Sequence, residues 1–290
     1  MSAALLPTRR VEAWKYSDLH AAVGDAPFAL REGGHIIERL AGTTERREVR
    51  AGDHLVVAER IDGGGGVDAR AADFAVGEGA SLTRVVIQDG GEVQLSLARV
   101  RLAARAKLTQ IVLAFGARLA RVETQVDVDG EGAFVELNGL YLVAAGRHAD
   151  LTSVIHHHAP AGVTRQLVKG VAAKGGRGVF QGKIVVDRAA QKTDARQHHH
   201  GMLLAAGAEI FAKPELMIYA DDVQCAHGNT AGGLDESALF YMRSRGVQEA
   251  QARALLIESF LVEAILEGLP EEINEELVGR IRAWLSGGAA

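Results

Sequence analysis

The feature that most constrains the fold is a series of short segments, between residues 76 and 228, in which apolar and polar side chains alternate. Alternation with a period of two predicts β-strands that each bury one face. No helical pattern of ten or more residues interrupts this series, which disfavours folds that alternate strands with helices. The clearest segments are 81–87, 93–97, 108–113, 122–128 and 134–142.

Small residues recur where these segments begin. A Gly-Ala pair stands at positions 79, 116, 132 and 207, and the chain contains 34 Gly but only 5 Pro, with aromatic residues at 5%. Small residues at recurring corners are typical of a solenoid whose successive coils stack closely. We therefore predict a mainly β protein with a parallel β-helix-like core. Because the spacing of the segments is irregular, a β-sandwich of antiparallel strands remains an alternative.

The pattern divides the chain into three parts. Residues 1–75 are predicted to be a mixed segment with a short helical lead, residues 76–234 the β-core, and residues 235–290 a helical C-terminal part. Asp235 is a suitable N-cap for the first C-terminal helix. The second helix carries Leu255 and Phe260 on an apolar stripe, which suits either capping of the core or docking of a partner.

Composition and charge exclude several classes of protein. The net charge of −5 and pI of about 6.1 differ from the basic footprint of a nucleic-acid-binding protein. No apolar run approaches the ~20 residues that a membrane span requires. Residues 1–12 contain no apolar segment of a secretory signal, and a single cysteine cannot form an internal disulfide. We therefore expect a cytoplasmic protein.

Cys225 and His227 form the most specific local motif. They are two residues apart, so in an extended strand both side chains lie on one face. A thiolate beside an imidazole suits zinc, copper or an iron–sulfur species. One Cys and one His cannot complete the ligand set of a cluster, so such a site would need a second chain. A buried Cys beside a hydrogen-bonded His, or a Cys–His hydrolase, are the alternatives.

Two histidine triplets, 156–158 and 198–200, are a further candidate site. On a strand the outer two residues of each triplet share a face, so four histidines could bind a transition metal if the two strands were neighbours. A metal-dependent β-fold enzyme is therefore an alternative function. The simpler interpretation is that both triplets lie at solvent-facing ends of strands.

Asp221 and Asp222 are a candidate acid–base pair for cleavage of polysaccharides. A position in a turn suits this pair better, and the chain has few of the aromatic residues that sugar-binding enzymes use as platforms.

Several stretches of the chain resemble one known family. The most specific is the run from Asp221 to Gly228, which reads Asp-Asp-Val-Gln-Cys-Ala-His-Gly. The sequence resembles the SufB/SufD family of iron–sulfur cluster assembly scaffold proteins, and within it SufD more than SufB. The chain is short for this family and carries histidines at 198–200 where an Asn-rich segment is expected. The other stretches that carry the resemblance are 9–19, 180–186, 190–195, 214–220 and 239–246.

The resemblance implies a right-handed parallel β-helix with helical N- and C-terminal parts. It implies a non-enzymatic scaffold of the SUF system that forms a SufBCD complex with a SufB-like subunit and a SufC-like ATPase. A homodimer is the alternative when the chain is alone. His227 would be a cluster ligand at the SufB-like interface, with Cys225 beside it. Leu255 and Phe260 fall in the region that docks the ATPase. The iron–sulfur cluster would be transient and shared with the partner, and the isolated chain would bind no cofactor tightly.

Overall fold

The computed structural model describes residues 5–289, which form a parallel β-solenoid covered by helices. Odd-numbered strands form one seven-stranded sheet (sheet 1) and even-numbered strands a second (sheet 2). The chain thus passes from one sheet to the other at every turn, and each strand pairs with the strand of the next coil in parallel. The predicted β-helix-like core is confirmed, and the antiparallel sandwich is excluded.

The strands alternate between the two sheets along the chain. Sheet 1 contains β1 (Glu45–Val49), β3 (Val67–Val76), β5 (Val93–Leu102), β7 (Leu119–Val128), β9 (His148–His157), β11 (Arg177–Val186) and β13 (Glu209–Ile218). Sheet 2 contains β2 (His54–Asp62), β4 (Ser81–Asp89), β6 (Lys107–Ala114), β8 (Phe134–Val143), β10 (Val163–Ala172), β12 (Asp194–Leu203) and β14 (Gln224–Gly232).

The coils lengthen along the chain. Val93 pairs with Val67, 26 residues earlier, whereas Glu209 pairs with Arg177, 32 residues earlier. This drift explains why the strand-like segments show no fixed period in the sequence. At the corners, Gly79 has a φ of 63°, in the left-handed region that side chains with a Cβ rarely adopt.

The β-core begins earlier than residue 76, the boundary that the sequence predicted. β1 starts at Glu45, so the first strands belong to the solenoid rather than to a separate mixed segment. The pattern there is weak because, among the described residues, β1 has a strand neighbour on one side only, and four of its five residues are exposed. The helical lead lies before it, as a 3₁₀ turn at Glu12–Trp14 and two short helices, α1 (Leu19–Val23) and α2 (Ile36–Ala41). Residues 1–4 of the predicted segment lie outside the described residues.

The two ends of the chain cover the outer faces of the two sheets. Trp14, Leu19 and Ile37 from the N-terminal segment pack against sheet 1. The C-terminal helices pack against sheet 2, with Leu261 and Ile281 among the buried contacts. Within residues 5–289 no helix is long and apolar enough to cross a membrane. The C-terminal elements are α3 (Glu236–Ser244), α4 (Glu249–Val262), α5 (Glu271–Trp284) and a π-helical turn (Leu285–Ala289).

Candidate functional site

The last coil of the solenoid is open at its end. In the described chain β14 pairs only with β12, so its other edge presents backbone N–H and C=O groups without a strand partner. The end of the preceding strand β13 and the residue after it are also apolar and exposed, since Met217, Ile218 and Tyr219 are 38%, 40% and 56% exposed. A free strand edge beside exposed apolar residues is the arrangement on which a strand of another chain can pair.

Cys225 and His227 both lie on β14 at this open end. The register of β14 with β12 places Cys225 opposite Ala195 and His227 opposite Gln197. Ala195 and Gln197 are fully buried and face the interior of the solenoid. The two motif residues therefore continue the interior columns to the last coil, where Cys225 is half-buried and His227 is exposed. As their spacing predicted, they share a face, and that face adjoins the free edge of β14.

Asn229 is a third residue of this face, which the sequence did not single out. Its side-chain oxygen lies 2.7 Å from Nδ1 of His199, whose Nε2 lies 2.8 Å from the Tyr141 hydroxyl. The His199 ring also stacks on Phe180, with 5.3 Å between ring centroids. Burial lowers the pKa of His199 to about 4, so its ring is neutral at pH 7. The spacing Cys-x-His-x-Asn would have indicated this third position.

The Cys225 thiol is not activated within the isolated chain. Burial raises the pKa of Cys225, and the negative charge of Asp194 raises it further. A thiol that keeps its proton at neutral pH is a poor nucleophile, which argues against a Cys–His hydrolase. As a ligand, the sulfur would lose its proton only when a metal ion or cluster binds it.

The two histidine triplets lie in different sheets. Residues 156–158 are at the end of β9 in sheet 1, whereas residues 198–200 are on β12 in sheet 2. The site of four histidines that the sequence allowed is therefore not formed. The middle residue of each triplet is buried, and burial lowers the pKa of His157, like that of His199, to about 4. Nε2 of His157 lies 2.8 Å from the Thr164 hydroxyl, so this residue is structural.

The two residues that were predicted to dock a partner differ in their exposure. Leu255 on α4 is 45% exposed. Phe260 packs against the core between α4 and sheet 2, and the Nζ of Lys169 lies 4.5 Å from its ring centroid. Lys169 also forms an ion pair with Glu263, so Phe260 lies within a contact that fastens α4 to β10. Leu255 is thus available to a partner, whereas Phe260 is used inside the chain.

Two exposed aromatic residues on α3 were missed by the sequence reasoning. Phe240 is 72% and Tyr241 is 59% exposed, although Leu239 on the same helix is buried. Consecutive residues of a helix point in directions about 100° apart, so the run Leu239–Tyr241 could not be buried on one narrow face. Phe240, Tyr241 and Leu255 are the exposed large apolar residues of α3 and α4, and we refer to this set as the helical patch.

The fold and the open end define the protein as a helix-covered parallel β-solenoid with an unpaired last coil. A family model described as "SUF system FeS cluster assembly, SufBD core domain" matches residues 46–260. The chain belongs to the SufB/SufD family of iron–sulfur cluster assembly proteins. The match begins within β1, which agrees with the early start of the solenoid.

Individual relatives agree with this assignment. The iron–sulfur cluster assembly protein SufD of Escherichia coli is 35% identical over 175 residues, covering 60% of this chain and 41% of SufD. A SufBD family protein of Synechocystis is 34% identical over 217 residues, covering 74% and 47% of the two chains. One of Mycobacterium bovis is 30% identical over 299 residues, covering 95% and 74%. The chain therefore spans less than half the length of the first two.

Proposed function

We propose that the chain is a non-enzymatic, SufD-type scaffold subunit that pairs through its last coil with a SufB-like subunit in the cytoplasm. A transient iron–sulfur cluster would form at that interface, with His227 as a ligand and Cys225 beside it. The observation that carries this proposal is the placement of both residues on the interior face of an open edge strand, in a chain of the SufB/SufD family.

The chemistry of the open face supports a shared cluster. The last coil offers one thiol and one exposed imidazole, which are too few ligands to hold an iron–sulfur cluster without a second chain. Thiolates of a partner would complete the set, and the cluster would leave with its acceptor, so the isolated chain is expected to retain none. A metal-dependent enzyme built from both triplets is not favoured, because the triplets occupy different sheets.

Pairing at the β14 edge can be tested with a proline. The backbone N–H of Gln224 donates to the carbonyl of Thr193, which directly precedes β12. Because the N–H groups of successive residues in a strand point to opposite sides, the N–H of Ala231 points to the free edge of β14. Ala231→Pro removes only an edge donor, which a solenoid tolerates. In co-expression with SufB-like and SufC-like subunits, we expect this variant to keep its Tm but to lose at least about tenfold in affinity for the SufB-like subunit.

The readout is co-purification of the tagged chain from its own host, with iron and sulfide content of the complex. A SufC-like ATPase bound elsewhere should stay with the Ala231→Pro variant. If the chain forms a homodimer when alone, the same variant should be monomeric. Undiminished pairing of Ala231→Pro with the SufB-like subunit would show that the partner binds another surface.

We also propose that the helical patch docks the SufC-like ATPase. Leu255→Glu places a charge on the exposed patch, so we expect binding of the ATPase to weaken at least about tenfold while the Tm stays unchanged. Phe260→Glu buries a charge beside the core and should instead lower the free energy of unfolding by about 3 kcal/mol. Surface plasmon resonance and thermal unfolding measure the two effects.

A matched control is Val56→Glu, because Val56 is 40% exposed but lies on the first coil, at the other end of the solenoid. This control should bind the ATPase as the unmodified chain does. The patch would be the wrong surface if Phe240→Glu combined with Leu255→Glu left the affinity for the ATPase unchanged.

A further inference from the structure

A second group of metal-binding side chains lies on the outer surface at the end of sheet 1. Asp127 on β7 pairs in register with His156 on β9, and His158 follows directly after β9. One potential ligand atom from each of the three residues lies within 4.8 Å of the other two. This group contains no residue of the Cys225–His227 face.

The contacts within the group resemble those of a histidine metal site. Nε2 of His158 lies 3.2 Å from a carboxylate oxygen of Asp127, and its Nδ1 lies 2.8 Å from Asp187. The other oxygen of Asp187 lies 2.8 Å from Nε2 of His156, and the two imidazole rings are 3.8 Å apart between centroids. A carboxylate that accepts the second N–H of a ligating histidine fixes the ring and increases its basicity.

We propose that Asp127, His156 and His158 bind one divalent first-row transition-metal ion, such as Zn²⁺ or Fe²⁺, with Asp187 orienting the histidines. Two imidazoles and one carboxylate form the ligand set that such ions accept while keeping coordination positions open. Ca²⁺ and Mg²⁺ prefer oxygen ligands alone, and the absence of sulfur in the group disfavours Cu⁺.

The distances are compatible with a shared ion. Ligands about 2.1 Å from one ion lie roughly 3.0–3.4 Å apart, which is close to the 3.2 Å between His158 and Asp127. The longest separation in the group, up to 4.8 Å, closes by side-chain rotation. Room for this exists because His156, His158 and Asp127 are 33%, 34% and 49% exposed at the side chain. The same exposure makes the ion exchangeable with solvent.

The site is independent of the proposed cluster interface. β9, which carries His156, is two strands away from β13 in sheet 1, and adjacent strands are about 4.8 Å apart, so the ligands on β9 lie roughly 10 Å from the last coil. Asp187 follows β11, which is one strand nearer. A single exchangeable ion held here differs from a cluster held across an interface. The isolated chain is therefore the correct sample for a test of metal binding. Loss of cluster assembly at the open coil would leave metal binding at this group intact.

The test is calorimetric titration of the untagged, chelator-treated chain with Zn²⁺, and with Fe²⁺ under anaerobic conditions. We expect one equivalent to bind, and Asp127→Asn and His158→Ala each to weaken binding at least about tenfold. Asp127→Asn keeps the shape of the side chain, so it separates loss of a ligand from loss of structure. Circular dichroism and Tm verify that each variant is folded.

Two controls decide where the ion binds. His200→Ala removes a histidine of the other triplet, which lies 2.7 Å from the Thr230 hydroxyl and belongs to no such group among residues 5–289. This variant should bind Zn²⁺ normally. Cys225→Ser combined with His227→Ala should also bind normally. The proposal is wrong if the unmodified chain binds no Zn²⁺, if Asp127→Asn and His158→Ala bind it with unchanged affinity, or if binding disappears with Cys225 and His227.

Discussion

Replacing Arg121 with methionine is expected to lower the free energy of unfolding by about 3–5 kcal/mol. The guanidinium is buried and forms ion pairs of 2.8 Å with Glu123 and 3.0 Å with Asp150, both of which are buried as well. Methionine fills much of the same volume but removes the guanidinium that neutralises both buried carboxylates, so that only the His35 contact remains for Glu123. A loss of this size is a large fraction of the stability of a typical domain.

Arg121 also fastens the N-terminal segment to sheet 1. Its Nη1 donates to the carbonyl of Ala13 at 2.7 Å, and the guanidinium lies 4.3 Å from the Trp14 ring centroid. Burial alone would raise the pKa of Glu123, but a His35 contact and the Arg121 charge lower it to about 2. Because the pKa of Glu123 in the folded chain lies below its ordinary value, the Glu123 carboxylate contributes to the free energy of unfolding above pH 4.5. This contribution is lost as the pH falls towards 2.

Urea unfolding followed by circular dichroism measures the change, and limited trypsin digestion reports release of the N-terminal segment. The control is Arg101→Met, since Arg101 forms an exposed pair with Asp129 and should cost less than about 1 kcal/mol. Adding Glu123→Gln and Asp150→Asn to Arg121→Met should recover part of the loss. Equal midpoints for Arg121→Met and Arg101→Met would contradict a stabilising role for the buried network.

The core was predictable from the sequence because most interior positions of the solenoid are apolar and recur on alternate residues. In β5 and β7 both faces are covered, and the apolar segments there were identified correctly. The first coil was missed because its strands stand at the ends of the two sheets in the described part of the chain, so exposed charges such as Arg46 and Arg47 interrupt its pattern. Position in the stack, rather than local propensity, made these strands difficult to recognise.

The candidate site was predictable only in part. The spacing of Cys225 and His227 indicated a shared face, but that this face continues the interior columns depends on strand register, which a single sequence does not contain. A similar limitation affected the histidine triplets, which the alternation of strands between the two sheets places apart. It also hid the proximity of Asp127 to His158, because the two residues are 31 positions apart and meet only when coils stack.

His227→Ala is expected to reduce the iron and sulfide content of the purified complex at least about tenfold, while the chain folds and pairs normally. The imidazole is exposed at the end of the solenoid, so its removal takes away little buried apolar area. An imidazole nitrogen is a common ligand of iron. Cys225 keeps its proton until a metal displaces it, and partner thiolates can substitute for it, so Cys225→Ala should have a smaller effect.

A matched control is His198→Ala, which removes a histidine from the neighbouring strand β12, on the face that points away from the solenoid interior. If cluster formation depends on the interior face of the open coil, His198→Ala should load iron and sulfide normally and rescue growth of a strain that lacks the gene, whereas His227→Ala should not. Normal loading of the His227→Ala complex would instead identify this histidine as structural. Equal losses in both variants would indicate that the whole end of the solenoid, rather than one ligand, supports assembly.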